Sequence, residues 1–307
     1  MTDSIIAFPG SWITADKFEQ TLQRTFTFPL PDYSNVIFRL HPSCKVMVDA
    51  AVRLLSLANQ LVARGQEVAF VFAGEQNDAM SYLNRANFFS CLDRRIEVMP
   101  ERPNPFYAQL YLGNSKNLVE FKSISPTDPE ASSPIPRQLT DALEAATEAR
   151  ADRKQLCHMA YTLFGELIDN VYSHSQKALD GFAALQVYPS GGTAQVVVSD
   201  SGIGLLETLR PKLYSPTDKT MTDAQLIHSL FRGVVSWDDQ GRGAGLKHCA
   251  QLALRHQSKV SIRLATCQVS LRPSLEGYNV VNVQYQQDLP VLSGTHISFS
   301  FPLDIPT

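Results

Sequence analysis

The chain has few cysteines and no two of them close together. Cys44, Cys91, Cys157, Cys249 and Cys267 are scattered, odd in number and form no CxxC. That excludes a cysteine-based zinc site or a disulfide framework and fits the reduced thiols of a cytosolic protein. No apolar run approaches the ~18–20 residues that cross a bilayer. The start, Met1-Thr-Asp-Ser-Ile-Ile-Ala-Phe8, has no basic segment leading into an apolar one, so neither membrane nor secretory signal is expected. Charge is nearly balanced: 27 Lys and Arg against 30 Asp and Glu leave a net charge of -3, which gives no general basic field, and nucleic acid is not indicated. Internal repeats and coiled-coil heptads are also missing. What is present is ordinary globular composition, 44% hydrophobic and 19% charged over 307 residues. At roughly 150 residues per domain, that length suggests about two domains.

One stretch breaks the pattern. Ser123-Ile-Ser-Pro-Thr-Asp-Pro-Glu-Ala-Ser-Ser-Pro-Ile-Pro-Arg137 holds four prolines and four serines. Proline removes backbone donors and biases its neighbours toward extended chain, so 123–137 reads as a linker between domains 1–122 and 138–307. The first half alternates strand and helix. Val36–Leu40 and Glu67–Phe72 are short apolar strands. Val46–Arg64 has apolar residues at helical spacing and ends before Gly65, and Gln76–Ala86 is a second helix. That order implies a sheet with helices packed against it. The second half opens with helices, Gln138–Arg150 and then a long amphipathic one marked by Leu156, Leu163, Leu167 and Val171. Strands follow at Ala183–Tyr188, Gln195–Asp200, Lys259–Ala265, Tyr278–Tyr285 and Thr295–Phe301, the first two joined by a Gly191-Gly192 turn. Helices followed by antiparallel strands make an α/β sandwich, not a doubly wound Rossmann sheet.

Four segments of the second half carry chemistry. On the long helix, Glu166-Leu-Ile-Asp-Asn170 puts Glu166 and Asn170 on one face, four residues apart. An Asn oxygen can ligate Mg²⁺, and a Glu can orient or deprotonate a water. Taken alone, the pair is also an ordinary solvated helix face. Next, Val196-Val-Val-Ser-Asp200-Ser-Gly202-Ile-Gly204 ends a strand in a carboxylate that can accept a hydrogen bond from a base amino group, with glycines that admit a ligand to the backbone. Third, Gly241-Arg242-Gly243-Ala-Gly245-Leu246 leads into a helix. Its exposed N–H groups and helix N-terminus favour an anion, and Arg242 and Lys247 add charge. The spacing is neither a Walker A loop nor a convincing dinucleotide fingerprint. Fourth, Ser293-Gly-Thr295 opens the last strand with a hydroxyl able to assist the base-reading Asp.

In this order the four motifs resemble the GHKL superfamily of ATP-binding domains, which includes the gyrase B subunit, MutL, histidine kinases and anti-sigma serine kinases. The resemblance covers roughly residues 150–303. It implies a Bergerat-fold α/β sandwich with ATP and Mg²⁺ as ligands. By position, Asn170 would be the metal ligand and Glu166 the catalytic base. Asp200 would read the adenine amino group, supported by Thr295, and Gly202 and Gly204 would shape the base pocket. Gly241, Arg242, Gly243, Gly245 and Leu246 would close over the phosphates, and residues ~205–240 would form a lid. No phosphoacceptor histidine stands on Gln138–Arg150, and the chain ends at Thr307 directly after the last strand, so neither autokinase nor topoisomerase machinery is expected.

The run Met47–Phe70 is similar to the centre of a STAS (anti-sigma antagonist) domain, so a smaller STAS-like α/β domain is expected ahead of the ATP-binding one. Where that family carries a phosphorylatable serine, this chain has Asp49-Ala50-Ala51, which implies a docking scaffold for a protein partner, not a phosphoswitch. The expected whole is a cytoplasmic, bacterial, Mg-ATP-binding regulatory protein, a slow ATPase whose nucleotide state switches partner contact. An anti-sigma-type protein-serine kinase and a non-hydrolysing nucleotide sensor stay open beside it, and homodimers occur among its relatives.

Overall fold

The computed structural model describes residues 3–25, 35–74, 77–174, 179–213, 220–232, 244–273 and 283–305. In the first half β1 (Ser4–Phe8), β3 (Val36–Leu40), β5 (Val68–Phe72) and β6 (Glu97–Met99) form a wholly parallel sheet in the order β1-β3-β5-β6. Two short strands, β2 (Trp12–Ile13) and β4 (Lys45–Val46), pair beside it. The connections carry α1 (Ala15–Thr25), α2 (Val48–Ala63), α3 (Asp78–Arg85) and α4 (Phe88–Cys91), and α5 (Pro105–Tyr111) follows β6. Parallel strands need such helical crossovers. The expected glycine stop is present: α2 ends at Ala63, Arg64 caps it, and Gly65 follows at φ +85°.

The second half is built on a seven-stranded sheet in which every neighbouring pair runs antiparallel. Its order is β12-β11-β10-β13-β9-β8-β7. The strands are β7 (Leu118–Ile124), β8 (Gly181–Tyr188), β9 (Thr193–Ser199), β10 (Lys259–Arg263), β11 (Gln268–Leu271), β12 (Val283–Gln286) and β13 (His296–Pro302). The helices of this half are α6 (Pro129–Ser132), α7 (Ile135–Ala146), α8 (Arg153–His174), α9 (Leu205–Leu209), α10 (Asp223–Arg232) and α11 (Ala244–Arg255). The mixed α/β architecture agrees with the expected Bergerat sandwich.

The expected linker differs. Ile124 ends β7 in the core, α6 and α7 follow almost at once, and Ile135 is buried. Three of the four prolines of 123–137 stand where helices start, and Pro126 lies in the turn before α6. Pro129 opens α6, behind an Asp128 cap that accepts from the Ala131 N–H, and Pro136 lies in the first turn of α7. There a missing N–H costs nothing. Strand β7, on the N-terminal side of the expected boundary, is the edge of the C-terminal sheet. Of the expected strand Tyr278–Tyr285, residues 278–282 lie outside the described residues.

Alternation along the strands assigns the two faces of the large sheet. Val196 and Val198 of β9, Ile297, Phe299 and Phe301 of β13, and Val260 and Ile262 of β10 share one apolar cluster with α7, α8 and α11. The opposite face is largely polar, with Gln195, Ser199, Arg263, His296 and Ser298, yet all five are buried. Helix α2 covers that face. It joins a second apolar cluster that includes the parallel sheet together with Phe182, Ala184 and Val197 of the large sheet. One helix thus lies between two sheets, and it is buried on almost every side.

Covering a polar sheet face is tolerable only if each buried group finds a partner. Asp49, Arg53, Ser56 and Gln60 recur at helical spacing along α2 and supply partners for several of them. Gln195 donates to Asp49 at 2.9 Å, and Ser56 meets Ser199 at 2.9 Å. Glu19 of α1 receives Arg53 at 2.8 Å and Arg263 at 2.9 and 3.1 Å, while Arg53 also donates to Gln268 at 2.6 Å. Arg263 completes its bonds on the carbonyls of Leu264 and Pro290.

Candidate functional site

The end of β9 and the start of β13 form the centre of the site. Asp200 follows β9 directly, and its N–H donates to the Thr295 carbonyl at 3.0 Å. Its carboxylate accepts the Gly202 N–H at 2.8 Å on Oδ1 and the Thr295 N–H at 3.0 Å on Oδ2. The Thr295 hydroxyl accepts the Leu205 N–H at 3.1 Å, which fixes the first turn of α9 beside it. Burial pushes the Asp200 carboxyl up to about 6; the Gly202 and Thr295 donors oppose that rise without cancelling it. A carboxylate that is desolvated yet ionised at neutral pH is a strong acceptor for an incoming donor.

Glycines permit this approach of two loops. Gly294 has φ +90°, and a Cβ there would lie 2.0 Å from the Asp200 carbonyl oxygen. Gly204, at φ +86°, faces the Gly294 carbonyl, 3.3 Å from where its own Cβ would be. Gly294 was not among the expected site residues. Its signal was present, a glycine between Ser293 and Thr295, but only the fold shows which backbone it must admit.

Helix α8 comes to the same place through Gly181. A Cβ on Gly181 would lie 2.5 Å from the Ser199 carbonyl oxygen and 2.8 Å from Val171. The missing side chain therefore sets Val171, next to Asn170, close to Ser199, next to Asp200. Glu166 and Asn170 are both half-buried, whereas Asp169 is exposed. Glu166 Oε2 accepts the Cys249 Sγ–H at 3.3 Å. Burial, followed by the Glu166 charge, raises the Cys249 pKa, so the thiol stays a donor. That contact ties α8 to α11, the helix that follows the third motif. Cys249 carried no functional signal in the sequence beyond its place on an apolar helix.

Behind Asp200 stands His296, which burial depresses to about 3 and so keeps neutral. Its Nε2 lies 3.0 Å from the Ser293 carbonyl, which can only accept, so Nε2 bears the proton. Nδ1 then accepts from Ser199 at 2.6 Å, and Ser56 donates to Ser199.

Gly241, Arg242 and Gly243 lie outside the described residues. Gly245 and Leu246 fall in the first turn of α11, consistent with the expected glycine-loop-to-helix order. Of the stretch 205–240, α9 and α10 are described, while 214–219 and 233–240 are not. Cavity size by itself would point elsewhere. A space of about 590 Å³ lined by Trp12, Tyr111 and Tyr188, and another of about 900 Å³ beside β7 and α7, include none of the motif residues.

The motif order, the antiparallel sheet and the loop pair around Asp200 agree with a family comparison. Residues 158–305 match the model described as histidine kinase-, DNA gyrase B-, and HSP90-like ATPase. The C-terminal half of the chain belongs to this family. As such it is an ATP-binding domain of the GHKL type. The match begins within α8 and ends after β13, and thus encloses all four motifs. No curated protein and no solved structure matches the chain. Among the described residues no helix is long and apolar enough to cross a membrane.

Proposed function

We propose that the protein is a Mg-ATP-binding regulatory ATPase, with Glu166 as base, Asn170 as metal ligand and Asp200 as the reader of adenine. The observation that carries this reading is the pair of loops held around a half-buried, ionisable Asp200, and the closeness of Val171, next to Asn170, to Ser199, next to Asp200, supports it. The Asn170 side chain makes no hydrogen bond among the described residues, so its oxygen is open to a hard cation. When bound, Mg²⁺ offsets negative charge on the phosphate oxygens.

The side chains then divide the work. Asp200, ionised above about pH 6, accepts a proton-bearing amino group and rejects a carbonyl edge, which favours adenine over guanine. Glu166 is oriented through Oε2 by the Cys249 thiol, which leaves Oε1 to accept a proton from a water. The glycines of 241–245, with Arg242 and the N-terminus of α11, are assigned to the phosphates. The N-terminal half, up to strand β7, is read as a STAS-like docking unit packed against the ATP-binding one. Asp49 and its neighbours, which that family would present to a partner, here face Gln195 of this same chain. That favours an internal docking role for the start of α2, with any protein partner bound elsewhere on this half.

Steady-state phosphate release from Mg-ATP, paired with Glu166→Ala, tests the reading. The expected result is slow turnover in the wild type and none in the variant, with ATP binding kept in both. ATP binding without turnover in either protein would instead support the sensor, and radiolabel transfer to a partner protein the kinase.

A further inference from the structure

Helix α2 belongs to the N-terminal half, yet its C-terminal end reaches the nucleotide loops. Gln60, buried to 3% exposure, makes three hydrogen bonds there. Its Nε2 donates to Ser201 Oγ at 3.0 Å and to the Ser293 carbonyl at 3.0 Å. Its Oε1 accepts the Ser293 N–H at 2.9 Å. Turning the amide over would oppose carbonyl to carbonyl and donor to donor, so this orientation alone satisfies all three. Ser201 follows Asp200, and Ser293 precedes Gly294-Thr295. One turn earlier on α2, Ser56 holds Ser199, the residue before Asp200, and beyond Gln60 Arg64 donates to Ser293 Oγ at 2.9 Å.

We propose that Gln60 is a positioning residue of the ATP site, a clamp from the N-terminal half that sets the spacing between the Asp200 loop and the Gly294-Thr295 loop and thereby the selectivity for adenine. The inference rests on the reading of Asp200 as the adenine acceptor. Its physical basis is the narrow tolerance of that loop pair. The Asp200 carbonyl sits where a Cβ on residue 294 would be, and the Asp200 carboxylate must keep the Thr295 N–H while accepting a new donor. The Ser56, Gln60 and Arg64 bonds tie α2 to that geometry, and a movement of α2 is transmitted to the base pocket through them. The N-terminal half thereby acts on nucleotide affinity without touching nucleotide.

The test measures ATP and GTP affinity by calorimetry, together with thermal unfolding, for the wild type, Gln60→Ala, the nearly isosteric Gln60→Met, and Asp49→Ala. Asp49 makes the corresponding contact with Gln195, five residues before Asp200 on the same strand. Both Gln60 variants are expected to bind ATP about tenfold more weakly, the scale of one lost hydrogen bond, and to lose part of the preference over GTP. Asp49→Ala is expected to lower thermal stability to a similar extent while leaving both affinities within about twofold. Gln60→Met guards against a failure of the alanine variant to fold. Wild-type ATP affinity in Gln60→Met would overturn the clamp, and so would equal losses in Gln60 and Asp49 variants, which would reduce it to general stability. A wild type without ATP affinity would remove the nucleotide reading and the clamp together, a result distinct from a wild type that binds ATP and is indifferent to Gln60.

Discussion

Substitution of Gly294 by alanine tests the architecture of the site most directly. The new Cβ would lie 2.0 Å from the Asp200 carbonyl oxygen and 2.7 Å from its carbon, whereas ordinary contact begins near 3.4 Å. The Asp200 backbone must therefore retreat by about 1.4 Å (3.4 less 2.0), and the opposing neighbour is main chain, which cannot rotate away. A second cost comes from φ +90°, a left-handed conformation that costs an L-residue roughly 1–2 kcal/mol. Overpacking adds about 1–3 kcal/mol, so the sum is about 2–5 kcal/mol. Displacement of an aligned group by about 1 Å can cost roughly 10²-fold in function. The expected outcome is a fall of about 10²-fold in ATP affinity by calorimetry, accompanied by a lower unfolding midpoint. Gly192→Ala is the control, since Gly192 also has positive φ, at +61°, but nothing lies within 4 Å of its added Cβ. It should show only the modest torsional cost and full ATP binding. A Gly294→Ala protein with wild-type ATP affinity would refute the argument that the two loops must meet backbone to backbone.

Other outcomes follow from the same geometry. Adenosine, which has no phosphate to titrate, should bind with constant affinity above about pH 6 and lose about tenfold per unit below it, because protonation removes the Asp200 acceptor. A flat profile from pH 5 to 8 would contradict the Asp200 assignment. Asn170→Ala should abolish the Mg²⁺-dependent part of ATP affinity and leave metal-free binding intact; an unchanged magnesium effect would remove Asn170 as ligand. Glu19→Ala leaves two guanidinium groups, Arg53 and Arg263, buried at 2% and 0% exposure without their counter-charge. Loss of one partner from such a cluster costs about 3–5 kcal/mol, to be read from the urea midpoint, and a loss under about 1 kcal/mol would show that the network is dispensable.

Much of this protein was legible in its residues, for stated reasons. Helical spacing in α2 and α8, the glycine after α2, and strict alternation in His296-Ile-Ser-Phe-Ser-Phe301 are local signals that need no tertiary information. The four motifs could be recognised in order because each pairs a functional group with the glycine or helix turn it needs. The shortest strands, β6 and β11, were not legible, since runs of three and four residues have too little periodicity to stand out. The proline-rich segment misled because proline marks both linkers and helix first turns.

The tertiary structure decided what the polar face of the large sheet is for. From alternation alone, Gln195, Ser199, His296 and Ser298 read as residues facing water. They are buried because a helix from the other half, itself carrying Asp49, Arg53, Ser56 and Gln60 in one stripe, covers them: Asp49 accepts from Gln195, Ser56 meets Ser199, and Ser199 in turn meets His296. Each stripe by itself is only amphipathic. Hydrogen-bond complementarity exists between two surfaces, and the separations here, such as 143 residues from Ser56 to Ser199 and 233 from Gln60 to Ser293, place it beyond any local pattern.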